Sequence, residues 1–334
     1  MIPAAPLPMQ PRGWQQAWRA SVRDPRELLG LLGLEHEAAA VPEAAVAAFA
    51  LRVPRSFIAR MRHGDRHDPL LRQVLPLDEE LRSVPGFGLD AVGDAAAKAG
   101  RGVIHKYEGR ALLVATGSCA VNCRYCFRRH FPYAEETAAA GGWTGAVAAI
   151  AADPTITEVI LSGGDPLSLA TRKLAELTGL LRDVPHVRRL RIHSRLPVVL
   201  PERVDDELLA WLGDLPWPVA VVVHANHANE FDAAVDAAMA ALRGTGASLL
   251  NQAVLLAGVN DSVDALADLC ERGFAAGVLP YYLHQLDRVA GTAHFEVGDD
   301  RARALHAALV ARLPGYLVPR LVREVPGDAS KRAL

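Results

Sequence analysis

ALLVATGSCAVNCRYCFRRHF, residues 111 to 131, joins a short apolar run to a loop that carries three of the chain's four cysteines. The run ALLVAT (111–116) reads as a buried strand. The loop after it spaces Cys119, Cys123 and Cys126 as C-x3-C-x2-C. Outward from this stretch the same pattern recurs. Strand-like runs fall at EVILSGG (158–164), RLRIHS (189–194), VAVVVHA (219–225), LLNQAVLL (249–256) and LPYYLHQL (279–286), with helical patterns such as TRKLAELTGLLRDV between them. Six βα units in succession predict an α/β fold with a parallel sheet and helices outside it, as an open sheet or a partial barrel. Residues 1–105 read as a mainly helical, proline-punctuated extension, 106–290 as the βα body, and 291–334 as a last helix and tail.

Composition narrows the function classes. The chain has 334 residues, is 51% hydrophobic and carries a net charge of −2. No global basic field argues for nucleic acid. No apolar run is long enough to span a bilayer. The opening MIPAAPLPMQPRGW lacks the apolar core of a signal peptide, so the expected address is cytoplasmic. Only four of the 36 basic residues are lysines: Lys98, Lys106, Lys173 and Lys331.

Clustered thiols in a cysteine-poor chain point to metal rather than disulfides. Thiolates suit zinc or iron–sulfur, and a closed zinc site takes a fourth ligand. Two arrangements remain open: a Cys3His zinc site using His130, or three irons of a [4Fe–4S] cluster held with the fourth iron free. Cys270 sits alone in a helical pattern and reads as a small buried hydrophobe. In parallel βα folds chemistry gathers at the strand C-termini. Here those ends carry the cysteine loop, SGGDP (162–166), HSR (193–195), HANHANE (224–230) and HQLD (284–287).

The cysteine spacing, with Tyr125 before the third cysteine, resembles the signature of radical S-adenosylmethionine (SAM) enzymes. The resemblance implies a partial (β/α)6 barrel with a [4Fe–4S] cluster on Cys119, Cys123 and Cys126. SAM would then be held near Gly163, Gly164, Asp165, Ser194 and His224. The segments IHKYEGR (104–110), ILSGGDPL, NQAVLLAGVND and PYYLHQLDRVAGTAHF are similar to lysine 2,3-aminomutases. The short length is similar to the bacterial branch that supplies (R)-β-lysine for elongation factor P modification.

That family also carries pyridoxal phosphate, whose resting Schiff base requires a lysine amine that arginine cannot replace. The resemblance assigns this lysine to Lys331, in PGDASK near the C-terminus, where the family more often has only glycines. It implies that Lys106 and Arg110 hold the phosphate, that Tyr107 lines the ring, and that Arg128 grips the substrate α-carboxylate. Asp287 and Glu324 would receive the lysine ε-ammonium. The expected partners are L-lysine, a reducing electron donor and an elongation factor P ligase. An aminomutase acting on glutamate would need cationic or amide residues at 287 and 324. A non-catalytic iron–sulfur or zinc protein would leave Lys331 unexplained.

Overall fold

The computed structural model describes residues 13–334. The proline-rich opening, residues 1–12, lies outside the described residues. Ten strands form one mixed sheet in chain order: β1 (Lys98–Gly100), β2 (Val103–Tyr107), β3 (Arg110–Thr116), β4 (Glu158–Gly163), β5 (Arg189–Ser194), β6 (Val219–Val223), β7 (Ser248–Val254), β8 (Leu279–His284), β9 (Arg320–Arg323) and β10 (Arg332–Ala333). From β3 to β9 every neighbour pairs parallel. Each of these six steps crosses over through a helix, the longest being Thr171–Arg182, Ala233–Gly244, Val263–Ala275 and Asp299–Arg312. Aspartate and serine side chains start three of the crossover helices: Asp205, Asp232 and Ser262 each accept a backbone N–H of the first turn, satisfying a donor the helix cannot.

The sheet is not closed, because β1 and β10 end it without pairing to each other. It is curled nonetheless. Laid flat at about 4.8 Å per strand, β3 and β9 would stand about 29 Å apart. Yet residues at the C-terminal ends of all seven parallel-run strands, from Gly117 after β3 to Glu324 after β9, line a single cavity of about 350 Å³. Of the two forms the βα repeat left open, the observed architecture is the curled, unclosed one, the partial barrel that the family resemblance implies.

Strand patterning explains how polar side chains reach the interior of the curled sheet. In β5, Leu190, Ile192 and Ser194 are buried, while Arg191 and His193 are only half-buried and face the interior space. In β7, Leu249, Asn251 and Ala253 are buried, and Leu250, Gln252 and Val254 turn the other way. The two-residue period thus presents one face to the helices and the other to the cavity.

The mainly helical reading of residues 1–105 ends too late. The helices Trp14–Arg19 and Pro25–Leu31 and five further short helical pieces before residue 82 agree with it, but β1 and β2 add antiparallel strands to the sheet edge. The 105/106 boundary falls inside β2. Gly102 and Gly109, both at positive φ, turn the chain on either side of VIHKY, whose first two residues are buried and which pairs with β3.

Candidate active site

Three elements bring the cysteines together. The β3 strand ends at Thr116, and the loop beyond it turns through a Cys126 N–H to Cys123 carbonyl bond of 3.0 Å. The Cys119 carbonyl accepts from the Trp18 indole at 3.3 Å and from Arg52 at 3.0 Å, which fastens the loop to the N-terminal helices. Behind it, buried Arg124 and Arg129 both bond Glu80, at 2.8 Å from the Arg124 Nε and 2.8 Å from the Arg129 Nη2. All three thiols line the 350 Å³ cavity. His130, the candidate zinc ligand, instead sits at 3.1 Å from the Ala290 carbonyl. Among the described residues no three His, Cys, Asp or Glu side chains converge on a point that suits one metal ion.

The donor set fits a cluster. Burial pushes the Cys119 thiol well above its ordinary value, and crowding by Cys126 adds to it. Burial likewise pushes Cys126 up to about 11, with Cys123 next in effect. Three thiols that resist ionisation in a desolvated loop would become thiolate ligands only against a compensating cation, which the irons of a cluster would supply.

The SGGDP loop packs against the cysteine loop at very short range. A Cβ on Gly163 would meet the Thr116 carbonyl at 2.7 Å, and one on Gly164 would meet the Ser118 carbonyl at 2.5 Å. The glycines are thus required for close approach, beyond any role in presenting backbone groups. Backbone amides of the loop are partly spent: Gly164 N–H donates to the Thr116 carbonyl and Asp165 N–H to the Ser118 carbonyl. Asp165 is a hub whose oxygens accept from Ser194 Oγ (2.7 Å) and from the backbone N–H of Leu167, Arg195 and Leu196. Burial raises it to about 6 against the pull of these donors. Asp165 and Ser194 both line the cavity, but their side chains mainly hold each other and the loop after β5.

A second chamber of about 370 Å³ adjoins the first. Phe127, Arg128, Ser162, His193, His224 and Gln252 line both, with Glu324 and Lys331. The tail has folded back: β10 pairs antiparallel with β9, and Gly327 takes a positive φ in the turn between them. The Lys331 ammonium forms an ion pair with Glu324 and lies 6.0 Å from the Tyr282 ring centroid. Lys331 therefore stands on the wall between the cysteine chamber and the second one.

In the second chamber Arg110 lies 4.7 Å over the Tyr107 ring and has no carboxylate partner among the described residues. Lys106 is already engaged, 2.8 Å from Glu324 and 2.6 Å from Asp94. Glu324 is thus clamped between two lysines. Burial opposes its charge, but Lys331 and Lys106 outweigh that and bring it down to about 2. Asp287 differs. Burial and the nearby Glu324 push it up to about 7 against Lys331 and Lys106. Arg128 is buried, with Nε 2.7 Å from Asp94 and Nη1 3.3 Å from Ser162 Oγ. Its Nη2 makes no hydrogen bond among the described residues.

No family model matches the chain. Curated relatives do. L-lysine 2,3-aminomutase of Escherichia coli (strain K12) is 49% identical over 94% of this chain and 92% of its own length. That of Haemophilus influenzae is 42% identical over 99% and 98%. That of Clostridium subterminale is 31% identical over 95% of this chain and 76% of its own length. The chain belongs to the lysine 2,3-aminomutase family. A solved radical SAM methyltransferase from Sphaerobacter thermophilus overlays with a TM-score of 0.48 at 18% identity, covering 66% of this chain and 68% of that one. Membership of the aminomutase family makes the protein an isomerase, and implies the [4Fe–4S] cluster and SAM.

Sequence reasoning named His224 but not Asp94, His193, Arg195 or His284 as site residues of this aminomutase fold. Asp94, in the bland stretch VGDAAA, is only 2% exposed and joins Lys106 to Arg128. His193 and His284 face the chambers, and burial holds both rings well below their ordinary pKa; His224, 5.6 Å from the His193 ring, is lowered to about 4 for the same reason. All three are neutral at physiological pH. Arg195, buried beside Cys123, lay within the HSR stretch, where its position after a strand was the available signal.

Proposed function

We propose that the protein moves the α-amino group of L-lysine to C3, giving β-lysine, with a [4Fe–4S] cluster, SAM and pyridoxal phosphate. The observation that carries this reading is Lys331, an amine standing between a thiol-lined chamber and a cation-lined one. The cofactors supply the radical and the carbonyl that carries the migrating nitrogen. Cys119, Cys123 and Cys126 hold the cluster irons. Gly163, Gly164, Asp165, Ser194 and His224, which line the cysteine chamber, would hold SAM, with Asp165 and Ser194 shaping the pocket wall. Lys331 would anchor the pyridoxal and Tyr107 would line its ring; Arg110 would meet the phosphate, with Lys106 beside it, its ammonium held by Val92, Asp94 and Glu324. The free edge of Arg128 takes the substrate carboxylate, with Asp94 fixing the guanidinium plane.

Asp287 and Glu324 receive the ε-ammonium. Glu324 is paired with both Lys106 and Lys331; were Lys331 taken by the cofactor, Glu324 would keep Lys106 and have capacity for a second cation. Two acids there oppose a glutamate side chain. Neutral His193, His224 and His284 keep the chamber walls free of further positive charge.

We further propose that the product is (R)-β-lysine and passes to an elongation factor P ligase in the cytoplasm. Near-complete coverage of the short E. coli relative supports this branch. Anaerobically reconstituted enzyme, given lysine or glutamate and assayed for β-amino acids by chiral mass spectrometry, tests the activity. Turnover of glutamate and not lysine would overturn it. Borohydride reduction and peptide mapping test the cofactor: a pyridoxyl label on Lys98, Lys106 or Lys173 rather than Lys331 contradicts the assignment.

A further inference from the structure

Arg195 is one of the most buried charges in the molecule, 5% exposed. Asp165 holds its backbone N–H at 2.7 Å, so its position follows from the loop after β5. Its side chain lies against the rings of Phe57 and Tyr125, at 5.4 and 5.6 Å from their centroids. One terminal nitrogen donates to the Cys123 sulfur at 2.8 Å. The other donates to Gln73 at 2.6 Å and to Glu230 at 2.9 Å. Glu230 is fully buried and also accepts from the Gln73 side chain and from the backbone of Asn226 and His227. Asn226 in turn donates to Gln73 and to the Tyr125 hydroxyl.

This places a buried carboxylate behind a buried guanidinium, and the guanidinium against a cluster cysteine. A hydrogen bond and a positive charge at a ligand sulfur favour the electron-rich state of an iron–sulfur group. A carboxylate behind the donor weakens that effect. We propose that Arg195 and Glu230 form an opposed pair that sets the reduction potential of the cluster on Cys119, Cys123 and Cys126, Arg195 raising it and Glu230 holding it down. The inference rests on the cluster reading of the cysteine loop.

The test is an EPR-monitored redox titration of anaerobically reconstituted holoenzyme without SAM or lysine, with iron content measured on every sample. Arg195→Met removes the charge and the donor; the reduced-to-oxidised ratio at a given potential falls about tenfold, which for one electron is about 59 mV downward. Glu230→Gln keeps the shape and some hydrogen bonding, and shifts the ratio about tenfold the other way. Arg195→Lys keeps the charge and stays within about threefold of the parent. A purely structural role would not give shifts of opposite sign. Shifts of the same sign, or an unmoved potential in a variant that retains full iron, overturn the proposal. If Arg195→Met does not fold, Glu230→Gln alone decides by its sign. An Arg195→Met enzyme with weakened SAM binding and an unmoved SAM-free potential also overturns it, since Arg195 then serves SAM instead. Parent enzyme that takes up no iron refutes the cluster reading rather than this pair.

Discussion

Replacing Asp287 by Asn should make the ligand-free protein more stable and the enzyme unable to hold lysine. The carboxyl is raised from 3.8 to about 7 by burial first and by Glu324 second. Between these values the folded chain keeps the proton and the unfolded chain has lost it. Stability from this group is therefore complete below about pH 4 and is lost as pH rises through about 7. A displacement of about three pH units corresponds to about 4 kcal/mol. Asp287 retains partial solvent access, and screening reduces this to about 2 kcal/mol. The amide of the Asp287→Asn variant cannot ionise and escapes that cost. The expected result at pH 8 is a melting temperature about 2–4 °C above the parent, with the difference shrinking from about pH 7 downward and the two proteins converging only below about pH 4. Lysine binding runs the other way, because an ammonium needs the ionised carboxyl. The parent's apparent affinity should fall about tenfold for each pH unit below 7, and the variant's should be weak and flat. Glu324 at about 2 and the depressed histidines do not titrate in this window. Isothermal titration of pyridoxal-loaded, SAM-free enzyme with lysine from pH 6 to 8.5 reads this directly. A variant less stable than the parent at pH 8, or a pH-independent parent affinity, would refute the reasoning.

Ala at Cys119, Cys123 or Cys126 should abolish SAM cleavage and lower bound iron, while Cys270→Ala, in the helix Val263–Ala275 and away from the cavity, should leave both intact; iron and sulfide analysis checks this. Lys331→Ala, or truncation after Ala329, should remove the pyridoxal absorbance near the visible edge while iron content stays unchanged, and Lys331→Arg should do no better because it cannot bond covalently. Gly164→Ala should disrupt the cysteine loop, since its methyl meets the Ser118 carbonyl at 2.5 Å; loss of reconstituted cluster absorbance is the measurement. Glu80→Ala leaves Arg124 and Arg129 buried without their carboxylate, and should cost about 3–5 kcal/mol in denaturant unfolding.

The parts of this molecule that could be read from the sequence are those that act locally. Each of the six strand runs read in the βα body overlaps a strand, because β-branched runs bounded by turns carry their own signal. The cysteine loop was legible for the same reason: three ligands within eight residues form a pattern that needs no tertiary contact. The scarcity of lysine left four candidates; the family resemblance, not the local sequence, points to Lys331 among them, and its place between the chambers follows from β10 pairing with β9. What stayed illegible was pairing over distance. Asp94 and Glu80 look like solvated acids in their own segments. Only the fold brings Asp94 to Arg128 across 34 residues and Glu80 to Arg124 across 44. Glu324 does line the chambers, but its occupation by Lys106 and Lys331 could not be anticipated, since one partner lies 218 residues away. The same limit hid Arg195. A buried arginine must be paired to be tolerated, and its partners Gln73, Cys123 and Glu230 come from three separate regions of the chain. Local patterning therefore specified where the chemistry sits, while the charges that tune it are set by contacts that exist only after the sheet has curled.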